Sequence, residues 1–325
     1  MRSPHFVTIA VRKPNEAIVL RNQSYESWGH RYPVFKRPIL RGICSLVESM
    51  FQGIDALSYS AQVLAGGEDS NQKLSNWSIA VSILVAFAMG MGLFVALPHF
   101  LTAVLTSGQY LNLTAESPIF HLIDGFLKIA ILLVYVSAIS LMKDIRRVFQ
   151  YHGAEHKSIY TFEAGQELTV ENARKFTTLH PRCGTSFLLF LVLISIAVFS
   201  IVFPLFQLTH LSSNPILNHL CMVLLKILLM FPVAGLAYEF IKFCAFRMQS
   251  RLFRILIWPG LILQKLTTRE PTDDQLEVAL ASLKYVIHME ESQGRKSPSF
   301  KEELEIASLQ ELGEIKSRVG QFLEA

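Results

Sequence analysis

The sequence predicts a mainly α protein: a four-span transmembrane helical bundle with cytosolic amphipathic helices and a small N-terminal β-hairpin. Three observations carry this expectation. Of 325 residues, 51% are hydrophobic and 17% charged, with a mean hydropathy of +0.37, an apolar balance for a chain of this length. No Lys, Arg, Asp or Glu occurs from Leu74 to Ala115, nor from Cys183 to Leu225. Such runs exceed the ~20 apolar residues that a bilayer-spanning helix needs. Several of them in one chain argue against buried helices of a soluble protein. Finally, the basic residues alternate between successive flanks, as the positive-inside rule requires of a multi-pass protein.

The four spans are expected at about Trp77–Leu97, Ile119–Met142, Gly184–Leu205 and Ile216–Ile241. Pro98 is expected to end the first, with the apolar stretch beyond it on or in the membrane. The segment before Trp77 carries nine Lys or Arg, and the loop 98–118 none. Loop 143–183 carries seven, loop 206–215 none, and the segment after Ile241 twelve. Both termini and loop 143–183 are therefore assigned to the cytoplasm. The first 70 residues show no apolar core followed by a small-residue cleavage site, so the first span is expected to insert as an uncleaved anchor. Four cysteines without paired spacing read as reduced thiols.

Around the membrane domain (71–245) the chain divides as follows. Residues 1–35 contain VTIAVRKPNEAIVLR, two β-rich runs flanking a turn at Pro14-Asn15-Glu16, which predicts a hairpin. Residues 36–70 place Ile39, Leu40, Ile43, Leu46, Val47, Met50, Ile54 and Leu57 at helical spacing, an amphipathic helix lying on the membrane or packed on the bundle. Residues 246–290 hold two helices. The first mixes Arg247, Arg251 and Arg254 with Phe253, Ile255 and Trp258, suited to anionic headgroups or to packing on protein. The second opens at Pro271-Thr272-Asp273-Asp274-Gln275, a capping-box spacing, with Leu276, Ala279, Leu280, Leu283, Val286 and Ile287 on its apolar face. Residues 291–325 are expected to form a helical cytosolic tail.

The chemistry gathers in loop 143–183. His152, Glu155 and His156 form H-x-x-E-H, placing two imidazoles one helical turn apart on one face. Zinc hydrolases use this order and its reverse, with two histidines on Zn²⁺ and the glutamate as base toward water. Downstream, HPRC adds His180 and Cys183. Four such ligands would make a closed tetrahedral site, which is structural; three with an open position would be catalytic. A metal-free His/Glu cluster is the third alternative. Within the spans, Asp124 and Lys128 are spaced as an i,i+4 pair, Lys226 is expected to snorkel outward, and Glu239 is a ligand candidate or a headgroup-level partner for Lys242 or an arginine.

The stretch LMKDIRRVFQYHGAEHKSIYTFEAGQELTVENARKFTTLHPRCGTSF, with RGICSLVESMFQGIDALSYSAQ and PGLILQKLTTREPTDDQLEVALASLK, resembles the YqhQ-like family of bacterial multi-pass membrane proteins. The matching segments run from about residue 35 to 290. Relatives extend to plastid-bearing lineages, so the resemblance implies the bacterial inner membrane or a plastid membrane. The family is described as predicted metal-dependent enzymes and supplies no substrate. Members of the family usually begin with a glycine-rich motif containing an acidic residue; this sequence begins MRSPHFVTIAVR, which resembles the end of that motif, so either the motif is lacking or the start is placed late.

Two functions follow as expectations. One is a hydrolase at the cytosolic membrane surface, with His152, His156 and His180 on Zn²⁺, Glu155 as general base and Cys183 as fourth ligand or neighbour. The other is a non-enzymatic scaffold or biogenesis factor for other membrane proteins, with a structural zinc or metal-free cluster. The lipid bilayer is the expected partner in both, and no nucleic acid is expected. The topology is directly testable. Reporter fusions after Gln109, Gly165, Asn214 and Gly294 should read outside, inside, outside and inside; an outside signal at Gly165 would move the whole His/Cys motif out of the cytosol.

Overall fold

The structure is a computed structural model, and it describes residues 1–64, 76–106, 117–206, 212–293 and 301–312. Four of its helical segments are long and apolar enough to cross a membrane: Val81–Thr106, Pro118–Ser140, Gly184–Leu205 and Ile216–Ala245. The last three correspond to helices α5 (Pro118–Ser140), α8 (Gly184–Leu205) and α9 (Pro215–Ala245). Helix α5 packs on α8, and α8 on α9. Helix N-caps Ser117 and Asn214 bind the first free amides of α5 and α9 with their side chains, satisfying groups that the helix itself leaves open.

The first segment corrects the expected boundary. Helix α3 (Asn76–Met91) passes through a π-helical turn, Gly92–Ala96, into α4 (Leu97–Thr106). Pro98 has no N–H, and its ring crowds the preceding turn. A widened turn immediately before the proline takes up that mismatch, and the helix continues instead of stopping.

Two charges also sit differently from expectation. Lys226 does not snorkel: it is wholly buried, with Nζ 2.8 Å from Asp124 Oδ2. The Asp124–Lys128 pair forms as its spacing predicts, at 2.9 Å. Glu239 is taken by Arg41, whose Nε donates to it at 2.5 Å, and so fixes helix α2 (Leu40–Leu64) along α9. The arginine alternative holds for Glu239, and the metal-ligand alternative does not.

The extramembrane layer is built from both ends of the chain. Strands β1 (Phe6–Arg12) and β2 (Ile18–Ser24) pair antiparallel, with Val11 opposite Val19 and Phe6 opposite Ser24. Asn15 Oδ1 accepts the Ala17 N–H at 3.3 Å in the connecting turn, and Glu16 takes φ 70°, a left-handed position that a turn demands. Residues 301–306, expected in a helical tail, are strand β3 (Lys301–Ile306), paired antiparallel with β2. The alternation Leu304, Ile306 against Glu303, Glu305 has period two, and a half-buried strand uses that period.

Helix α11 (Asp273–Gln293) lays Leu276, Leu280, Leu283 and Val286 against Phe6, Ile18, Leu20 and Ile306. Its capping box is half formed, with the Thr272 N–H donating to Gln275 Oε1 at 2.9 Å. The other side of α11 packs on helix α6 (Lys143–Glu163). Sheet, α11 and α6 thus form one stack, with Ala154 of α6 inside the same core.

Between α11 and the amphipathic helix α10 (Arg251–Thr267) the chain crosses α6 closely. Arg269 N–H donates to Phe149 O at 2.9 Å. A Cβ at Gly153 would lie 2.1 Å from the Arg269 carbonyl oxygen. Ala is the better helix former by up to about 1 kcal/mol, but here it meets fixed backbone. Gly153→Ala should therefore lower the thermal unfolding midpoint, with a cost of about 1–3 kcal/mol as for overpacking. An unchanged or raised midpoint would mean that this approach is not tight.

Candidate metal centre

Helix α6 carries His152 and His156 on one face, ring centroids 4.4 Å apart, as the i,i+4 spacing requires. Each ring is oriented by a backbone carbonyl. His152 Nδ1 donates to Thr267 O at 2.8 Å, and His156 Nδ1 donates to Thr178 O at 2.5 Å. With Nδ1 so engaged, Nε2 is the nitrogen left to bind a partner. Backbone carbonyls behind ligating imidazoles are a common orienting device at metal sites.

Cys183 comes from the other direction. It caps α8, its sulfur accepting the Thr185 N–H at 3.4 Å and lying 3.1 Å from the Thr185 hydroxyl. His152 Nε2 is 3.1 Å from the same sulfur. Ligand atoms of His152, His156 and Cys183 all lie within 4.8 Å of one another. Two nitrogens and a sulfur at that spacing could hold a metal ion.

His180 stands beside this group and is not one of the three. Its ring centroid is 5.6 Å from that of His156 and 4.7 Å from that of Tyr160. Its backbone is locked by Gln264 of α10, which accepts its N–H and donates to its carbonyl, both at 2.8 Å. The buried Nε2 has no hydrogen-bond partner and lies 3.5 Å from Glu163 Oε2. Between His180 and Cys183 the chain makes a tight turn, in which Cys183 N–H donates to His180 O at 3.3 Å.

Glu155 is exposed and lines a cleft of about 290 Å³ together with His152, His156, His180 and Cys183. Glu163 and Arg182, paired with each other, lie on its rim. Cys183 and Gly184, the cap and first residue of a membrane-capable helix, are part of the cleft's lining. Lys157, buried one residue beyond His156, donates to Arg174 O and pairs with Glu270, pinning α6 to helix α7 (Val170–Arg174) and to the α10–α11 connection.

The electrostatics favour a thiolate. Burial alone would raise the Cys183 thiol, but hydrogen bonds from His152 and His156 outweigh it and bring it down to about 5. Burial opposes charge on His152 too, yet the bond to Cys183 raises it above the usual imidazole range. Burial holds His180 below that range, against the pull of Glu163. A thiolate between two imidazoles held through Nδ1 is in the form a metal needs, and the ring protons facing the sulfur are what a metal would displace.

Several members of this site have no sequence signal. Thr178 and Thr267 act through carbonyls, which any residue could supply. Gln264 had a faint one, as a lone amide near the apolar run of α10.

The depressed thiol gives a pH signature for the metal-free protein. The ionised form contributes stability that is complete above the unfolded-chain value and lost as pH falls toward about 5. Thiolate ultraviolet absorbance should show a step with its midpoint near pH 5, missing in Cys183→Ser. A midpoint in the ordinary range of about 8.5 would mean that the histidines do not hold the thiolate.

The chain was compared with known proteins. Residues 37–289 match the family described as "Protein of unknown function (DUF1385)". The chain is 32% identical over 278 residues to "Uncharacterized protein YqhQ" of Bacillus subtilis (strain 168), covering 82% of each protein. No solved structure matches it. The matched region contains all four membrane-capable helices and every residue of the His/Cys cluster, and the chain belongs to the DUF1385 family of proteins of unknown function.

Proposed function

We propose that this protein is a metal-dependent hydrolase of the cytosolic membrane surface, embedded in the bacterial inner membrane with both termini in the cytoplasm. Zn²⁺ would be held by His152, His156 and Cys183. One observation carries the reading: three donors converge at the wall of a cleft that Glu155 also lines. The donor set fits the ion. Two imidazole nitrogens and a thiolate suit zinc, and both rings have Nδ1 engaged by carbonyls, as ligating histidines do. Three protein donors leave a coordination position for the reaction.

When bound, the ion supplies Lewis acidity toward water and toward a carbonyl or phosphoryl oxygen. The chain supplies the proton handling and the orientation. Glu155 accepts a proton at its carboxylate and returns it to the leaving group, a role worth about 10²–10⁴-fold. Arg182 on the rim offers a guanidinium to an anionic group of the substrate. A lining that includes the start of α8, a membrane-capable helix, suits a membrane-anchored or amphiphilic substrate.

His180 supports the second reading. Its buried, unpartnered Nε2 beside His156 is available as a fourth ligand. Four ligands would close the site, and the protein would then be a scaffold or biogenesis factor for other membrane proteins with a structural zinc. The two readings rank two variants oppositely. For the hydrolase, Glu155→Gln should keep metal content and protein level but lose complementation. For the scaffold, Glu155→Gln should be silent, while Cys183→Ser should lower both metal content and protein level. Metal near zero in both wild type and a His152→Ala/His156→Ala double variant would sink both.

A further inference from the structure

A second polar cluster lies inside the membrane-capable bundle, at the end opposite the His/Cys cleft. His99 of α4, Asp124 and Lys128 of α5 and Lys226 of α9 are all buried. Lys226 is eleven residues into α9, about 16 Å from the start of that helix, so the cluster reaches toward mid-membrane. Asp124 Oδ2 receives both Lys128 Nζ, at 2.9 Å, and Lys226 Nζ, at 2.8 Å. Its Oδ1 has no hydrogen-bond partner. From α8 come the rings of Phe199 and Phe203, which with Phe120 of α5 stand 5.3–5.9 Å from the two ammonium nitrogens. His121 packs on Phe120 and Phe203 beside them.

Charge does not balance here. Among the described residues one carboxylate faces two amines, and an unpaired charge inside a bilayer is costly. The least costly way to remove the excess is to lose a proton from a lysine. A route for that proton is present. Lys226 Nζ lies 3.1 Å from His99 Nδ1, and His99 Nε2 lies 3.1 Å from His219 Nδ1. An ammonium can only donate, so His99 Nδ1 accepts, its Nε2–H donates, and His219 Nδ1 accepts in turn. All hydrogen bonds of the row therefore point one way. His219, four residues into α9, is partly exposed. The nearby hydroxyls of Thr102 and Thr106 donate to carbonyls of their own helix, Pro98 O and Thr102 O, and do not interrupt the row.

We propose that Lys226 is an intramembrane proton-exchange site, connected through His99 and His219 to the aqueous phase at the N-terminal end of α9. In release, Lys226 gives a proton to His99 Nδ1, His99 gives its Nε2 proton to His219 Nδ1, and His219 gives its Nε2 proton to water. Uptake reverses each transfer. The cluster passes between net charges of +1 and 0, with Asp124 ionised throughout, and no oxidant or second substrate is needed.

The test uses the full-length protein reconstituted in lipid, stepped in pH, with proton release followed by an indicator dye and imidazole and amine bands by infrared difference spectroscopy. Wild type should release about one proton more than Lys226→Met, with imidazole bands changing in step. Equal release by both would overturn the proposal. If Lys226→Met fails to fold, His99→Gln decides, because it leaves the Asp124–Lys128–Lys226 contacts in place. Slower release, on the order of tenfold or more, at an unchanged unfolding midpoint supports the relay. Release at the wild-type rate overturns it and leaves the cluster as a structural ion pair.

Discussion

Helix α6 lies against the 267–269 backbone with nothing between them at Gly153, and the metal-capable cluster depends on that approach. The Thr267 carbonyl reaches His152 Nδ1 because the two backbones touch. The Arg269 N–H is satisfied by α6 at the same crossing. One turn later the Thr178 carbonyl sets His156. Two segments outside α6, at Thr178 and Thr267, therefore fix the two imidazoles through main-chain atoms, which cannot rotate away as side chains can. Cys183 is fixed differently, by being the cap of a membrane-capable helix. The site is thus referenced to the bundle through its sulfur and to the extramembrane stack through its nitrogens.

Much of this was legible in the residues. The four apolar runs, the hairpin turn at Pro14–Glu16 and the apolar face of α11 all follow from period and composition, which act locally. H-x-x-E-H on a helix likewise forces its two histidines together. What was not legible depends on partners elsewhere in the chain. Lys226 looked like a snorkelling lysine because its counter-charge, Asp124, is on another helix. Pro98 looked like a stop because the compensating π turn leaves no composition signal. Strand β3 looked like more helix because Glu and Lys favour helices in isolation; pairing with β2 overrode that propensity. His180 was grouped with the ligands by proximity in sequence, and its backbone bonds to Gln264 place it beside the cluster.

The two polar clusters obey the same rule in different solvents. Beside the cleft, water is near, and salt bridges such as Glu163–Arg182 and Lys157–Glu270 keep one partner well exposed; such pairs contribute little individually. Within the bundle the surroundings are apolar, so the charges there lean on protein groups. That is why Asp124 serves two lysines and why three phenylalanine rings crowd the same ammonium groups. Replacing Asp124 there would leave two ammonium groups without their carboxylate, which costs far more than either pair contributes.

Strand β3 has a consequence for the order in which the molecule can be made. Its partner β2 is synthesised before all four membrane-capable helices and β3 after them, so Ile18 waits for Ile306 across that whole span. Contacts between such distant residues form slowly. Until they do, the hairpin presents an open edge, of the kind that invites pairing with another chain. The stack that steadies α6 therefore closes only after the apolar helices have been synthesised, and the bracing of the His/Cys cluster follows their synthesis instead of preceding it.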